Sequence, residues 1–130
     1  MVILRKQKSH PMRISAELRN RSKAFGALVI RIFLRLPRQR DEVAILGKQL
    51  IRAGTSVAAH VREASRARSD AEFCSKIDSL LQEADESQLW LEYLIEECQV
   101  SDPMLPQAHA EADELIAIFT TMVAKVRRST

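Results

Sequence analysis

Apolar residues recur at three- and four-residue spacing in four successive stretches of this chain, separated by prolines or by helix-capping residues. Only a backbone with a 3.6-residue period lines such positions along one face, so the pattern commits the chain to amphipathic α-helices. The clearest punctuation is Ser69-Asp70-Ala71-Glu72, which reads as a capping box: serine at the N-cap, glutamate three positions on, and an apolar run opening at Phe73. From there Phe73, Ile77, Leu80, Ala84, Ser87, Leu91, Leu94 and Cys98 keep a seven-residue repeat. That is the spacing of bundle helices packed at about 20°.

The first helix places Leu18, Phe25, Leu28, Val29, Ile32, Phe33 and Leu36 on one stripe and stops at Pro37. The second opens with Asp41 as its predicted N-cap and turns Val43, Leu46, Leu50, Ala53, Val57, Val61 and Ala64 inward. Its centre, Ala53-Gly54-Thr55-Ser56-Val57-Ala58-Ala59, is a run of small residues, read as close helix approach rather than as a ligand groove. After Ser101-Asp102-Pro103 and Pro106, a fourth stripe follows through Ala108, Ala112, Leu115, Phe119, Met122 and Val126. The expected helices therefore run over about 15–36, 40–67, 70–99 and 105–127, within a bundle of residues 13–128 behind a flexible basic tail, 1–12. Short connections between long helices force antiparallel neighbours, so the predicted fold is an all-α, antiparallel up-and-down four-helix bundle.

Composition agrees with this at the points where it bears on class. Three glycines and 5% aromatic residues favour helix over a turn-rich β-sandwich, and 130 residues suffice for a core without disulfides or a structural metal. The opening MVILRKQKSHPM is too short an apolar run for a signal peptide, and no eighteen apolar residues follow one another, so the expectation is a cytoplasmic protein with no membrane segment. Cys74 and Cys98 fall on one predicted helix roughly 36 Å apart at ~1.5 Å per residue, too far to bridge. Reduced thiols are expected.

Charge is lopsided. Residues 1–40 hold eleven Lys or Arg against the single acid Glu17, and residues 41–130 hold nine against sixteen. Such asymmetry points to a polyanion or to a basic end that docks on an acidic protein surface. The candidate contacts for RNA or DNA are Arg19, Arg21, Lys23, Arg38 and Arg40, near the basic tail residues Arg5, Lys6, Lys8 and Arg13. No recognition motif or aromatic platform accompanies them, so backbone contact is expected rather than sequence readout. The rival reading is a scaffold without nucleic acid, its basic end seated on acidic faces of neighbouring subunits.

Known catalytic signatures are missing. There is no Glu-x-x-His, glycine-rich phosphate loop, Gly-x-Ser-x-Gly elbow, Cys-x-x-Cys or dinucleotide fingerprint, so no enzyme, metal or cofactor is predicted. An enzyme or metal site would have to rest on His60, Glu63 and His109, of which His60 and Glu63 stand at i,i+3. Contact surface is the stronger signal. Ile30 and Leu34 lie off the stripe of the first helix and Ile45 off that of the second, while Leu89, Trp90 and Tyr93 sit on the shoulder and outer face of the third. These six are the predicted interface of a homo-oligomer.

The stretch Leu50-Ile51-Arg52-Ala53-Gly54-Thr55-Ser56-Val57-Ala58-Ala59-His60-Val61-Arg62-Glu63-Ala64, with Arg66-Ala67-Arg68-Ser69 and Ala71-Glu72-Phe73 behind it, resembles the bacterial four-helix-bundle proteins encoded in intervening sequences of large-subunit rRNA genes. Gln82-Glu83-Ala84-Asp85-Glu86-Ser87 with Trp90-Leu91-Glu92 is similar too. Ala58-Ala59-His60 departs from the Gly-Ala-Asn usual in that family, so any role of the asparagine is not carried over. The resemblance implies a bundle that assembles into a ring, a pentamer by preference, without established catalysis. More distantly the chain is similar to the accessory protein of diversity-generating retroelements, a basic pentameric bundle that works with nucleic acid.

Overall fold

The structure, a computed structural model, describes residues 12–129; the tail predicted over 1–12 lies, Met12 apart, outside the described residues. Four helices follow one another: α1 over Ala16–Arg35, α2 over Asp41–Ser65, α3 over Asp70–Glu92 with a π-helical turn at Tyr93–Glu97, and α4 over Met104–Ser129. α2 packs on both α1 and α3, and α4 packs on α3 and more sparsely on α1. With short connections this is an antiparallel up-and-down four-helix bundle. No described helix is long and apolar enough to cross a membrane.

Local chemistry accounts for most boundaries. Ser15 Oγ accepts the Leu18 N–H at 3.2 Å and starts α1, while the Leu36 N–H closes it on the Ile32 and Phe33 carbonyls ahead of Pro37. Ser69 Oγ accepts the Glu72 N–H at 3.0 Å, as the capping box requires. The return bond differs, since Glu72 Oε1 accepts from the Arg68 N–H at 2.8 Å, one residue before the cap. At α2 the expected cap is displaced: Arg40 holds the N-cap position without a side-chain bond, and Asp41 and Glu42 instead fill the first turn. There they face the positive end of the helix dipole, which stabilises them without a cap bond.

The core is built from large side chains on all four helices, among them Phe25, Ile32, Leu50, Phe73, Ile77, Leu91, Leu115 and Phe119, each almost wholly enclosed. Two departures from the expected stripes have physical causes. On α4, Leu105 and Val123 are buried, and Met122 and Val126 only half so, because the helix turns 3.6 rather than 3.5 residues per turn and the inner line drifts. On α3 the repeat does not run unbroken to Cys98. The π-helical turn inserts an extra residue, the Cys98 N–H reaching the Tyr93 carbonyl and the Val100 N–H the Leu94 carbonyl, which keeps both Leu94 and Cys98 inside. Gln99 then leaves the helix with φ 56°. Cys74 and Cys98 are buried free thiols.

The small-residue run of α2 lies directly beneath α1. A methyl group on Gly54 would sit 2.7 Å from Val29 Cγ2, so only glycine lets the two backbones come this close. Ahead of α1, Ile14 is buried, and Arg13 donates its N–H to the Ser65 carbonyl and Nε to the Ala67 carbonyl. Residues 13–14 are thereby pinned across the end of α2.

Candidate interaction surfaces

Folding sorts the charges into layers. Residues 12–66, which build α1 and α2, carry twelve Lys or Arg and four acids, whereas residues 67–129, which build α3 and α4, carry five and thirteen. Much of this contrast is consumed where the layers meet. On the α1–α4 seam Arg21 grips Glu111 through two bonds of 2.7 and 3.0 Å and also touches Glu114, while Arg35 Nε meets Asp102 at 2.7 Å. On the α2–α3 seam Arg52 meets Glu86 at 3.1 Å and Lys76 meets Glu63 at 3.3 Å. Hydrogen bonding to Glu111 and then Glu114 holds the Arg21 guanidinium protonated even more firmly than usual.

The five residues predicted to contact nucleic acid do not converge. Arg19, Arg21 and Lys23 sit in the first turns of α1, and Arg38 and Arg40 follow its far end, roughly 25 Å away at ~1.5 Å per residue. Arg21 is engaged with the two glutamates, and Arg40 with Glu42 at 2.8 Å and with the Cys98 carbonyl at 3.0 Å. The Arg38 guanidinium lies over the Phe33 ring, 4.5 Å from its centroid. Arg19 donates to the Ile14 carbonyl, leaving its charge uncompensated, and Lys23 is exposed without an ion pair among the described residues.

Of the predicted interface residues, all but Ile30, which adjoins the mid-helix contact of Val29 with Gly54, lie toward one end of the bundle, spread over three helices. Leu34 closes α1, Ile45 opens α2, and Leu89, Trp90 and Tyr93 end α3, which antiparallel packing brings level. Leu34 and Ile45 are 64% and 62% exposed, and Ile30, Leu89 and Tyr93 about 40%, high values for large apolar groups. Trp90 is half-buried beside Tyr93, ring centroids 6.3 Å apart. Its indole N–H is covered by the chain, so what it offers a partner is ring surface.

The residues of the conceivable metal or enzyme site are separated. His60 Nδ1 lies 2.9 Å from Glu63 Oε1, and Lys76 shares that carboxylate, so the His60 bond and then Lys76 hold the Glu63 carboxyl below its usual range. His109 Nε2 pairs with Glu92 at 2.8 Å elsewhere. His60 faces Glu83 of α3, nine residues from Glu92 and roughly 13 Å along the helix. No group of three potential metal ligands occurs among the described residues. A cleft of about 600 Å³ between the start of α3 and the end of α4 is lined by residues that include Asp70, Cys74, Asp78 and Arg127, its Asp78 tied to Arg127.

Residues 15–121, nearly the whole bundle, match the model of the 23S rRNA-intervening sequence protein family. The chain belongs to that family. Comparison with curated proteins gave no match. Among solved structures, a protein of unknown function from the S23 ribosomal protein family of Bacteroides thetaiotaomicron is similar at 27% identity and TM-score 0.72, covering 82% of this chain and 97% of the other. Family membership carries the bundle fold and brings no catalytic assignment with it.

One part of the surface was invisible in sequence. Arg62 and Arg66 stand one turn apart at the end of α2, outside the basic first forty residues, and the antiparallel register sets them beside the start of α1. The only trace was their i,i+4 spacing, which says nothing about neighbours.

Proposed function

We propose that this chain is a non-enzymatic, oligomeric assembly or adaptor protein that contacts RNA or DNA through its basic layer. The observation that carries the reading is a group of cations without ion pairs among the described residues, Arg19, Lys23, Arg62 and Arg66, at one end of the bundle, while most of the exposed large apolar residues lie toward the other. Copies of the chain meet through Ile30, Leu34, Ile45, Leu89, Trp90 and Tyr93. Exposed apolar groups on both layers suit a head-to-tail contact, which closes into a ring; the family resemblance favours five subunits. Of the five cations first expected to touch nucleic acid, Arg19 and Lys23 carry the reading best.

Size exclusion with light scattering at tens of micromolar tests the assembly. An oligomer is expected, together with its conversion to a ~15 kDa species by Leu34→Ser with Ile45→Ser; a wild-type monomer at that concentration overturns the reading. The scaffold reading, in which basic and acidic layers of neighbouring copies dock, is favoured by the complementary charge of those layers. It predicts that ~1 M salt dissociates the oligomer, whereas apolar contact predicts that the oligomer survives.

A further inference from the structure

We infer that Arg19 and Lys23 of α1, with Arg62 of α2 and Arg66 at its C-cap, form one phosphodiester-binding cradle at the end of the bundle remote from most of the exposed apolar residues; this deepens the nucleic-acid reading and rests on it. The helices run antiparallel, with Val29 on Gly54 and Gly26 over Thr55, so Arg19 comes level with Arg62. Each pair is spaced i,i+4, about 6 Å along its helix, and adjacent axes lie ~8–10 Å apart. The pinned segment ties the group together: Arg13 N–H bonds the Ser65 carbonyl, next to Arg66, and Ile14 accepts from Arg19.

Nothing within the described fold balances these four charges. None has an ion pair among the described residues, and the acids nearest in sequence are committed elsewhere: Glu63 to His60 and Lys76, Asp70 to Arg13, and Glu72 to the cap of α3. Glu17, on α1 itself, falls on the flank turned toward α4, more than 100° around the helix from Arg19 and Lys23 at about 100° per residue. Helix stability does not explain them either. Arg62 and Arg66 suit the negative end of the α2 dipole, but Arg19 and Lys23 occupy the first two turns of α1, where cations are disfavoured.

A polyanion explains what the fold does not. Nucleic acid fits better than an anionic membrane, because interfacial binding needs apolar side chains beside the cations. Here Met12 is the only large exposed apolar residue at this end among the described residues; Leu34, Ile45, Leu89 and Tyr93 lie toward the other, and Ile30 adjoins the mid-helix contact of Val29 with Gly54.

The test is fluorescence anisotropy of a labelled RNA hairpin and a matched DNA duplex, titrated with the full chain across salt. Lys23→Ala/Arg62→Ala/Arg66→Ala, which spares the Arg19 bond to Ile14, is compared with Arg31→Ala/Arg38→Ala/Lys48→Ala, which removes equal charge elsewhere. Melting and light scattering establish that both variants keep fold and oligomeric state. The cradle predicts at least tenfold weaker binding at ~0.15 M salt for the first variant, a log–log salt slope shallower by roughly 2–3 at ~0.9 per lost phosphate contact, and under twofold change for the control. Equal losses in both variants overturn the cradle and leave the nucleic-acid reading standing. Absence of wild-type binding at that salt overturns both, as does binding to phosphatidylserine vesicles but to neither nucleic acid.

Discussion

A methyl group added at Gly54 would meet Val29 Cγ2 at 2.7 Å, whereas one added at Gly26 meets nothing closer than Thr55 Cα at 3.6 Å. Both substitutions gain the ~1 kcal/mol by which alanine exceeds glycine in a helix. At Gly54 that gain is opposed by a buried, β-branched neighbour with no free rotamer, and overpacking costs ~1–3 kcal/mol. Gly26→Ala should therefore raise stability by about 0.5–1 kcal/mol and Gly54→Ala lower it by about 1 kcal/mol, read from urea midpoints at unchanged slope. The two glycines look alike in sequence. Their opposite signs come from a neighbour on another helix, which no local pattern contains, while the Ser69 cap was legible because every atom it uses lies within three residues.

At the scale of the element, α4 begins on a side chain shared with α1. Asp102 Oδ1 accepts the Met104 N–H at 3.0 Å and Oδ2 pairs with Arg35, so the backbone bond first and Arg35 second hold its carboxyl below the usual aspartate range. The folded state then binds this proton less tightly than the unfolded chain, where aspartate titrates near ~3.9. Its contribution to stability is complete above about pH 4 and is lost as pH falls through the depressed folded value. Asp102→Asn keeps an oxygen for the helix start but removes the titration, so the fall in melting temperature below about pH 4 should be shallower than in wild type. The end of α3 carries a different demand. Gln99 sits at φ 56°, where a side chain costs ~1–2 kcal/mol, and Gln99→Gly should stabilise by about 0.5–1 kcal/mol in thermal melts. Apolar spacing announced α3 but not its π-helical turn, since Leu94 and Cys98 are compatible with either geometry until both must reach one core.

For the whole molecule, magnitudes decide what holds the layers together. The seam pairs are numerous but partly or largely exposed, and each is worth ~0–1 kcal/mol, whereas emptying the site of one enclosed phenylalanine such as Phe119 costs ~3–5 kcal/mol. Arg21→Gln should accordingly cost about 1 kcal/mol or less, and Phe119→Ala several times more, in the same urea titration. The ion pairs select which faces meet; the core supplies the stability. By itself the sequence determined the four helices, most of their inner positions, the antiparallel bundle and five apolar positions left exposed on it, Trp90 packing instead against the core, because helical periodicity is local and its inner face is fixed by counting residues. Only the tertiary structure decided how the cations divide. Arg21 and Arg40 find partners in α4, α2 and the end of α3, while Arg62 and Arg66 join Arg19 and Lys23 across the α1–α2 register. Whether a charge is compensated depends on what stands opposite it in space: Glu42 is only two residues from Arg40, but Glu111 lies 90 residues from Arg21.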